Sequence, residues 1–208
     1  MNTVSTLLTP SGVNVFKIQG VLCRRESVHA VLSRYLRCGE VVLRLGAFGK
    51  PKLLRLASES PTEFSVSHCQ DRCLVAIGHG GVVGIDVERR RWIGDLDAIA
   101  SIYFMPAEAS WMEKLCGDQK LEAFFACWTF KEAYAKAIGT GLLTPFHTFA
   151  LPAASWKRAG ANCATIHGSE WTHLRFEPWP GYTATLVAAG RLASSAFQFQ
   201  DYYASNCA

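Results

Sequence analysis

The amino-acid sequence predicts a mixed α+β fold built as one unit. The chain has 208 residues, half of them hydrophobic, which is ample for one large core or two small lobes. Short runs of β-branched and aromatic residues lie between Gly- and Pro-containing turns, as strands do. Longer stretches repeat apolar residues at helical spacing. We find no internal repeat and no low-complexity linker that would separate independent domains.

The elements follow from these patterns in chain order. Apolar residues on one side of residues 26–36 predict the first helix, and the same spacing predicts helices at 96–103, 107–115 and from 121 onward. Strands are predicted at residues 41–45, 64–67, 74–77, 82–88, 146–151, 164–167, 173–176 and 182–188. Residues 47–51 are predicted as a turn, and residues 78–81 as a hairpin turn into the strand that follows.

The net charge and the hydropathy of the sequence limit the kinds of partner that we expect for this protein. The formal net charge of +4 suits acidic partners or phosphates, but it is low for a nucleic-acid binder. No apolar run is long enough to span a membrane, and the N-terminus lacks the apolar block of a secretory signal. We therefore expect no nucleic-acid partner, no membrane association and a cytoplasmic location.

The cysteines predict neither disulfides nor a metal site. Eight are present: Cys23, Cys38, Cys69, Cys73, Cys116, Cys127, Cys163 and Cys207. Only Cys69 and Cys73 are close in sequence, and no Cys-x-x-Cys pair appears. Scattered thiols of this kind are typical of a reducing compartment, so we expect free cysteines.

Two acidic residues interrupt an apolar strand at Gly84-Ile-Asp86-Val-Glu88. Because side chains alternate along a strand, Val83, Ile85 and Val87 share one face while Asp86 and Glu88 share the other. Two neighbouring carboxylates repel each other, and this strand is apolar enough to be buried. The pattern predicts a positive charge or a cation beside them.

A third carboxylate lies within an apolar helix. The stripe consists of residues at helical spacing: Phe124, Phe125, Trp128 and Ala135. Glu132 falls inside that stripe, Lys136 follows one turn later, and Gly139 and Gly141 stop the helix. A buried charge needs a partner. Three such carboxylates suggest a shared hard cation, and Mg²⁺ fits best because it commonly takes one or two carboxylates together with substrate phosphates.

Structural alternatives exist for each motif taken alone. Asp86 and Glu88 could end a strand with a wet outer face, neutralised by the basic residues that follow at positions 89–91. Glu132 and Lys136 could form an ordinary surface pair at i, i+4, which contributes a few tenths of a kcal/mol.

Taken in order, the motifs resemble the 4′-phosphopantetheinyl transferases, and most closely the surfactin-synthetase type. The two signatures are Gly84-Ile-Asp86-Val-Glu88 and Trp128-x-x-Lys131-Glu132-Ala-x-x-Lys136. Four supporting segments are Gly49-Lys50-Pro51, Phe64-Ser-Val-Ser67-His68, Tyr103-Phe-Met-Pro-Ala-Glu108 and Gly181-Tyr182-x-Ala. The resemblance implies two similar α/β lobes, a pseudo-dimer with the active site in the cleft between them. We place the N-terminal lobe at residues 1–90, including the Gly-Ile-Asp-Val-Glu strand, and the C-terminal lobe at residues 91–208.

The resemblance also implies a reaction. Such enzymes move the 4′-phosphopantetheine arm of coenzyme A onto a serine of an acyl or peptidyl carrier protein, as a holo-acyl-carrier-protein synthase does, and release adenosine 3′,5′-bisphosphate. They use Mg²⁺, with Mn²⁺ as a possible substitute, and this type is monomeric. Fatty acid, polyketide, nonribosomal peptide and lysine biosynthesis all remain open as the pathway served.

By resemblance, each role falls on named residues. Asp86, Glu88 and Glu132 hold the metal; Glu132 also serves as the general base, directly or through a water, and Lys136 binds the pyrophosphate. The expected coenzyme A contacts are Arg25, Gly49, Lys50, Pro51, Ser67, His68 and Lys136, with Arg24 as an alternative to Arg25. The expected carrier-protein contacts are Arg89, Tyr103, Phe104, Met105 and Lys131.

Two departures from the family pattern keep other functions open. Residues 1–22 are short and show no clear counterpart of the usual N-terminal strand, which predicts an exposed sheet edge and weaker coenzyme binding or folding. Ser65 stands where the family usually has asparagine. The alternatives are a non-catalytic relative that binds carrier protein or coenzyme A, and another Mg²⁺-dependent phosphoryl-transfer enzyme or nuclease.

Overall fold

A computed structural model describes residues 12–20, 25–54, 62–156 and 159–203. The helices are α1 Arg25–Leu36, α2 Leu96–Tyr103, α3 Pro106–Glu113 and α4 Gly117–Ile138. The strands are β1 Val13–Gln19, β2 Leu43–Leu45, β3 Pro51–Leu53, β4 Thr62–Cys69, β5 Arg72–His79, β6 Val83–Arg89, β7 Gly160–Ile166, β8 Ser169–Phe176, β9 Tyr182–Ala189 and β10 Phe197–Asp201.

The strands form two four-stranded sheets and a small hairpin. The first sheet has the order β10-β1-β5-β4, the second has the order β6-β9-β8-β7, and β2 pairs with β3. β1 runs parallel to β10, and the other pairs are antiparallel. The first sheet is therefore completed by a strand from near the other end of the chain.

Three hydrophobic clusters hold these layers together. One face of each sheet contributes to a shared cluster that includes Val15, Leu74, Ile85 and Leu186. The other face of the first sheet packs against α1 through residues such as Leu32. The other face of the second sheet packs against α4 in an aromatic-rich cluster. The strand β6, which carries the acidic motif, thus lies between the shared cluster and α4.

The predicted α+β class is confirmed, and all four predicted helices are present. Val83, Ile85 and Val87 do share one buried face of β6, as the alternation predicted. That the two halves are related copies, as a pseudo-dimer, stays a prediction. No helix among the described residues is both long and apolar enough to cross a bilayer. Five of the described cysteines are free thiols, as predicted: Cys38, Cys69, Cys116, Cys127 and Cys163.

The prediction of a missing N-terminal strand is wrong. Residues Val13–Gln19 form β1, which lies inside the first sheet between β10 and β5. Nearly all of its side chains are buried, so it lacks the clean polar–apolar alternation that marks a half-exposed strand. The edge expected to be bare is formed by β10 instead.

Two local predictions in the rest of the chain are also wrong. Residues 78–81 do not make a hairpin, because β5 and β6 belong to different sheets and the turn connects them. Residues 146–151 are not a strand; they contain a 3-10 turn at Phe146–Thr148. The division at residue 90 stays a prediction, although β6 pairs with β9 in the second sheet rather than in the N-terminal lobe to which we assigned it.

A buried histidine on β8 predicts acid-sensitive stability. His173 is fully buried, its Nε2 lies 2.9 Å from Ser155 Oγ, and burial together with nearby Arg175 lowers its pKa to about 4. The unfolded chain takes up this proton near pH 6.5 and the folded chain only near pH 4, so stability falls as pH falls through that window. The expected loss at pH 4 is about 3 kcal/mol.

Urea unfolding between pH 4 and 7 measures this effect. His173→Gln should flatten the slope of unfolding free energy against pH in that window, whereas His147→Gln, at an exposed position, should leave it unchanged. Equal slopes for all three proteins would contradict a role for His173.

Candidate active site

The site begins where β6 and α4 cross with their backbones in contact. A Cβ built on Gly84 would lie 1.9 Å from the carbonyl oxygen of Ala133 and 2.5 Å from the amide nitrogen of Ala137. Only glycine lets two backbones approach this closely. The crossing places the acidic side of β6 beside the last two turns of α4.

Asp86 and Lys136 form the centre of the site. Lys136 Nζ lies 2.6 Å from Asp86 Oδ1, and the hydroxyl of Ser67 on β4 donates to the same oxygen at 2.8 Å. Lys136 Nζ also donates to Ser67 Oγ at 2.9 Å. Asp86 is 4% exposed, so this contact is a charge-assisted pair in a partly desolvated setting. The sequence motifs from β4, β6 and α4 therefore meet at one point.

Small polar side chains of β4 hold β6 in place. The backbone N–H groups of Ile85 and Val87 donate to Ser65 Oγ at 3.1 Å and Ser67 Oγ at 3.3 Å, and that of Arg89 donates to Cys69 Sγ at 3.4 Å. These side chains satisfy edge donors that a neighbouring strand would otherwise take. Sequence reasoning missed the roles of Ser65 and Cys69. The alternation of small polar residues at positions 65, 67 and 69 was the available signal.

Glu88 and Glu132 lie close enough to Asp86 for its negative charge to act on their pKa values. Burial, with a further contribution from Asp86, raises the pKa of Glu88, while Arg91 Nη1 at 3.4 Å from Glu88 Oε2 acts in the opposite direction. Burial, followed by Asp86 and Glu88, raises the pKa of Glu132, and Lys136 opposes the rise. The negative charge of Asp86 thus adds to burial in raising the pKa of both glutamates.

The chemistry of this group of carboxylates fits a hard cation. The oxygen Asp86 Oδ2 is buried and has no hydrogen-bond partner among the described residues. A divalent cation would satisfy that oxygen and reduce the repulsion among the three carboxylates. In the described part of the chain, no three His, Cys, Asp or Glu side chains are already gathered into a cation cage. Lys136 instead pairs with the other Asp86 oxygen.

Some of the residues predicted to contact coenzyme A lie in the central cluster, and the others lie outside it. Ser67 and Lys136 belong to the central cluster, and His68, next on β4, is exposed. Arg25 is exposed at the first residue of α1, while Arg24 lies outside the described residues.

Gly49 and Lys50 directly precede β3, which begins at Pro51, and Gly49 adopts a positive φ of 82°. The ammonium of Lys50 contacts other parts of the protein, and its predicted contact with coenzyme A stays a prediction. Its Nζ donates to Val83 O at 3.3 Å and to Ala137 O at 3.1 Å, and it lies 3.6 Å from Glu63 Oε2.

Two of the predicted carrier-protein contacts are buried and cannot line a surface. Lys131 is 0% exposed, and its Nζ lies 2.8 Å from Glu108 Oε2 and donates to the carbonyl oxygens of Phe146 and Phe149. Phe104 is also buried, against Phe124. The prediction for these two residues is wrong because α4 is covered on more sides than a single apolar stripe implies. Of the other predicted contacts, Arg89 and Tyr103 are exposed and Met105 is half-buried.

Glu108 is the partner that sequence reasoning did not assign. Its Oε1 accepts from the backbone N–H of Leu151 at 2.7 Å, and its Oε2 accepts from that of Met105 at 3.0 Å. Glu108 and Lys131 therefore use the backbone of the 146–151 segment, which explains why that segment is not a strand. Pro106 at the start of α3, with an acid two residues on, was the available signal for the cap.

Comparison with known proteins adds a further line of evidence about the family to which the chain belongs. A model of the 4′-phosphopantetheinyl transferase superfamily matches residues 82–187. The chain is 37% identical over 120 residues to 4′-phosphopantetheinyl transferase HetI of Nostoc sp. (strain PCC 7120), covering 57% of this chain and 51% of HetI. It is 33% identical over 110 residues to 4′-phosphopantetheinyl transferase gsp of Aneurinibacillus migulanus, covering 52% of this chain and 43% of that protein.

A further relative is covered over more of its length. The chain is 33% identical over 143 residues to 4′-phosphopantetheinyl transferase AcpT of Escherichia coli (strain K12), covering 67% of this chain and 70% of AcpT. With HetI and gsp, the matched part of the chain spans about half the length of the relative. The matched stretch 82–187 contains the β6–α4 crossing with Asp86, Glu132 and Lys136, and the chain accordingly belongs to the 4′-phosphopantetheinyl transferase superfamily.

Proposed function

We propose that the chain transfers the 4′-phosphopantetheine arm of coenzyme A to a serine of an acyl or peptidyl carrier protein, releasing adenosine 3′,5′-bisphosphate. The observation that carries the proposal is the Asp86–Ser67–Lys136 cluster, with Glu88 and Glu132 beside it. Relatives that share this region are named for such a transfer.

The proposed metal ligands are Asp86, Glu88 and Glu132, with Mg²⁺ preferred and Mn²⁺ as a substitute. When bound there, the cation would neutralise charge on the pyrophosphate oxygens. The assignment is supported by the buried oxygen of Asp86, which has no hydrogen-bond partner in the described part of the chain, and by the raised pKa values of the two glutamates. Lys136, which now pairs with Asp86, would turn to the pyrophosphate and stabilise charge on the departing phosphate.

Glu132 is the proposed general base. Its raised pKa makes it a stronger base than an exposed carboxylate. It would accept the proton of the carrier serine, directly or through a water. The hydroxyl of Ser67, held between Asp86 and Lys136, would keep the lysine oriented toward the substrate.

Coenzyme A is proposed to lie along β4 and the turn before β3. His68, exposed beside Ser67, and Arg25, at the exposed start of α1, supply positive or hydrogen-bonding groups for its phosphates. A helix start is also a natural anion site because its first N–H groups lack intrahelical partners. Gly49 and Pro51 would shape the turn that faces the adenosine end.

The proposed carrier surface comprises Arg89, Tyr103 and Met105, next to exposed Trp92. Basic and aromatic groups suit an acidic carrier protein. A cytoplasmic monomer is part of the proposal, and the carrier class stays open among fatty acid, polyketide, nonribosomal peptide and lysine pathways.

Intact-mass measurement of an apo carrier protein tests the proposal. With the chain, coenzyme A and Mg²⁺, the carrier should gain the mass of one phosphopantetheine arm, and EDTA should prevent the gain. Asp86→Asn and Glu132→Gln should each slow transfer about 10²-fold or more. Asp97→Asn and Glu170→Gln, at exposed ion pairs, are matched controls and should retain the wild-type rate.

Two results would overturn the proposal. Transfer at the control rate by both site variants would remove the roles given to Asp86 and Glu132. A folded protein that binds coenzyme A but modifies none of several carrier classes would instead be a non-catalytic binding relative.

A further inference from the structure

Cys69 connects β4 to the acidic strand β6 at the edge of the candidate site. It is the half-buried last residue of β4, and Ser65 and Ser67 precede it on the same face of that strand. Its Sγ accepts the backbone N–H of Arg89 at 3.4 Å and donates to Glu88 Oε2 at 3.7 Å. A thiol is a weak donor and a weak acceptor, and Cys69 uses both roles on β6.

The hydrogen bonds of Glu88 fall on one of its two carboxylate oxygens. Cys69 Sγ and Arg91 Nη1, the latter at 3.4 Å, both contact Oε2, and among the described residues no donor reaches Oε1. Asp86 shows the same division: its Oδ1 is occupied, whereas its Oδ2 has no hydrogen-bond partner in the described part of the chain. Each acid on β6 therefore keeps one oxygen available for a cation.

The contacts of Cys69 repeat those of Ser67. The Ser67 hydroxyl donates to Asp86 Oδ1 at 2.8 Å and accepts the backbone N–H of Val87 at 3.3 Å. Cys69, two residues further along β4, makes the corresponding contacts with Glu88 and with the N–H that follows it. A weak hydrogen bond carries more weight when it recurs in a regular geometry. Here two side chains of β4 each hold one acid of β6 by a single oxygen.

We infer that Cys69 is a positioning residue for the proposed metal: it holds Oε2 of Glu88 so that Oε1 stays available to the cation. This inference rests on the proposed function, in which Glu88 is a metal ligand. Removal of a group that hydrogen-bonds to a metal ligand typically costs about 10-fold to 100-fold in metal affinity or activity. Because a thiol is a weak donor, we expect the lower end of that range, and a serine hydroxyl should replace it.

Mn²⁺ binding to the purified chain tests the inference without the transfer reaction. Free Mn²⁺ is measured by electron paramagnetic resonance with coenzyme A present and no carrier protein, and coenzyme A alone is the blank. The Kd for Mn²⁺ should rise about 10-fold in Cys69→Ala and stay within about threefold of wild type in Cys69→Ser. Cys163→Ala removes an exposed thiol on β7 and is the matched control, which should bind Mn²⁺ as the wild type does.

Cys69→Val separates positioning from packing. Cys69 packs against the cluster shared by the two sheets, so its loss could also act through a small cavity. Valine fills the space of the thiol but forms neither hydrogen bond, whereas serine forms both. The positioning role predicts that serine restores Mn²⁺ affinity and valine does not. The reverse result would overturn the inference and leave Cys69 with a packing role.

The metal dependence of transfer gives a second readout. In Cys69→Ala, the Mg²⁺ concentration for half-maximal rate should rise about 10-fold, while KM for coenzyme A stays within about threefold. A higher KM for coenzyme A with unchanged Mg²⁺ dependence would contradict the role given to Cys69.

These measurements distinguish failure of the inference from failure of the proposed function. If the wild type transfers but all Cys69 variants bind Mn²⁺ equally, the inference fails alone. If the wild type binds Mn²⁺ but transfers nothing, the transfer proposal fails, and the Mn²⁺ affinities of the variants still decide the role of Cys69. A wild type that binds no Mn²⁺ would overturn both the metal ligands and the inference.

Discussion

Gly84→Ala is expected to destabilise the protein by at least about 3 kcal/mol, the upper part of the range for overpacked cores. The added methyl would meet the backbone carbonyl of Ala133 at 1.9 Å and the backbone nitrogen of Ala137 at 2.5 Å. Both obstacles are backbone atoms, so no side-chain rotation relieves the clash. The β6–α4 crossing must separate, and Asp86 would then move away from Lys136.

Urea unfolding measures the stability loss as a lower midpoint, and the transfer assay reports the separation of Asp86 and Lys136. Gly81→Ala is the matched control, because a Cβ there has its nearest neighbour at 3.9 Å. Its effect should stay within about 1 kcal/mol. A Gly84→Ala protein as stable as Gly81→Ala would mean that β6 and α4 do not touch at this point.

Lys131→Met is expected to cost about 3–5 kcal/mol, because removing one partner leaves the other charge buried and uncompensated. Glu108 and Lys131 are both 0% exposed, and their charged atoms lie 2.8 Å apart. The carbonyls of Phe146 and Phe149 would also lose their donor. The loss should appear in the unfolding free energy and should change little with salt, since solvent ions do not reach the pair.

A double variant separates the charge effect from the packing effect. Lys131→Met with Glu108→Gln removes both charges and should recover part of the stability that Lys131→Met loses. Lys120→Met breaks the exposed pair with Asp97 and should cost less than about 1 kcal/mol. If Lys131→Met were as stable as the wild-type protein and bound the carrier protein more weakly, Lys131 would be a surface contact and not a buried residue.

The sequence was informative where local pattern and chemistry coincide. Alternation along β6 identified its buried and acidic faces, and helical spacing placed Glu132 and Lys136 on the side of α4 that meets them. Glycine at position 84 was visible as part of a motif. The reason why this position needs glycine was not visible, because the close approach of β6 to α4 involves residues about fifty positions apart.

The remaining errors come from contacts that a local pattern does not encode. Lys131 looked like a surface residue because its partner Glu108 lies on another helix. Lys50 was predicted to contact coenzyme A, and its protein partners on three other elements were not visible in the sequence. β1 was missed because a strand buried on both faces lacks alternation. In each case the deciding interaction joins distant parts of the chain.

The pairing of β1 with β10 has a consequence for the order of assembly. Val13 lies beside Phe197, so the first sheet cannot reach its full width until β10 has been synthesised. Contacts of such long sequence separation form slowly, because the closure of a large loop precedes any gain from the contact. During translation the outer edge of β1 would therefore stay open for pairing with other chains, and arrival of β10 closes it.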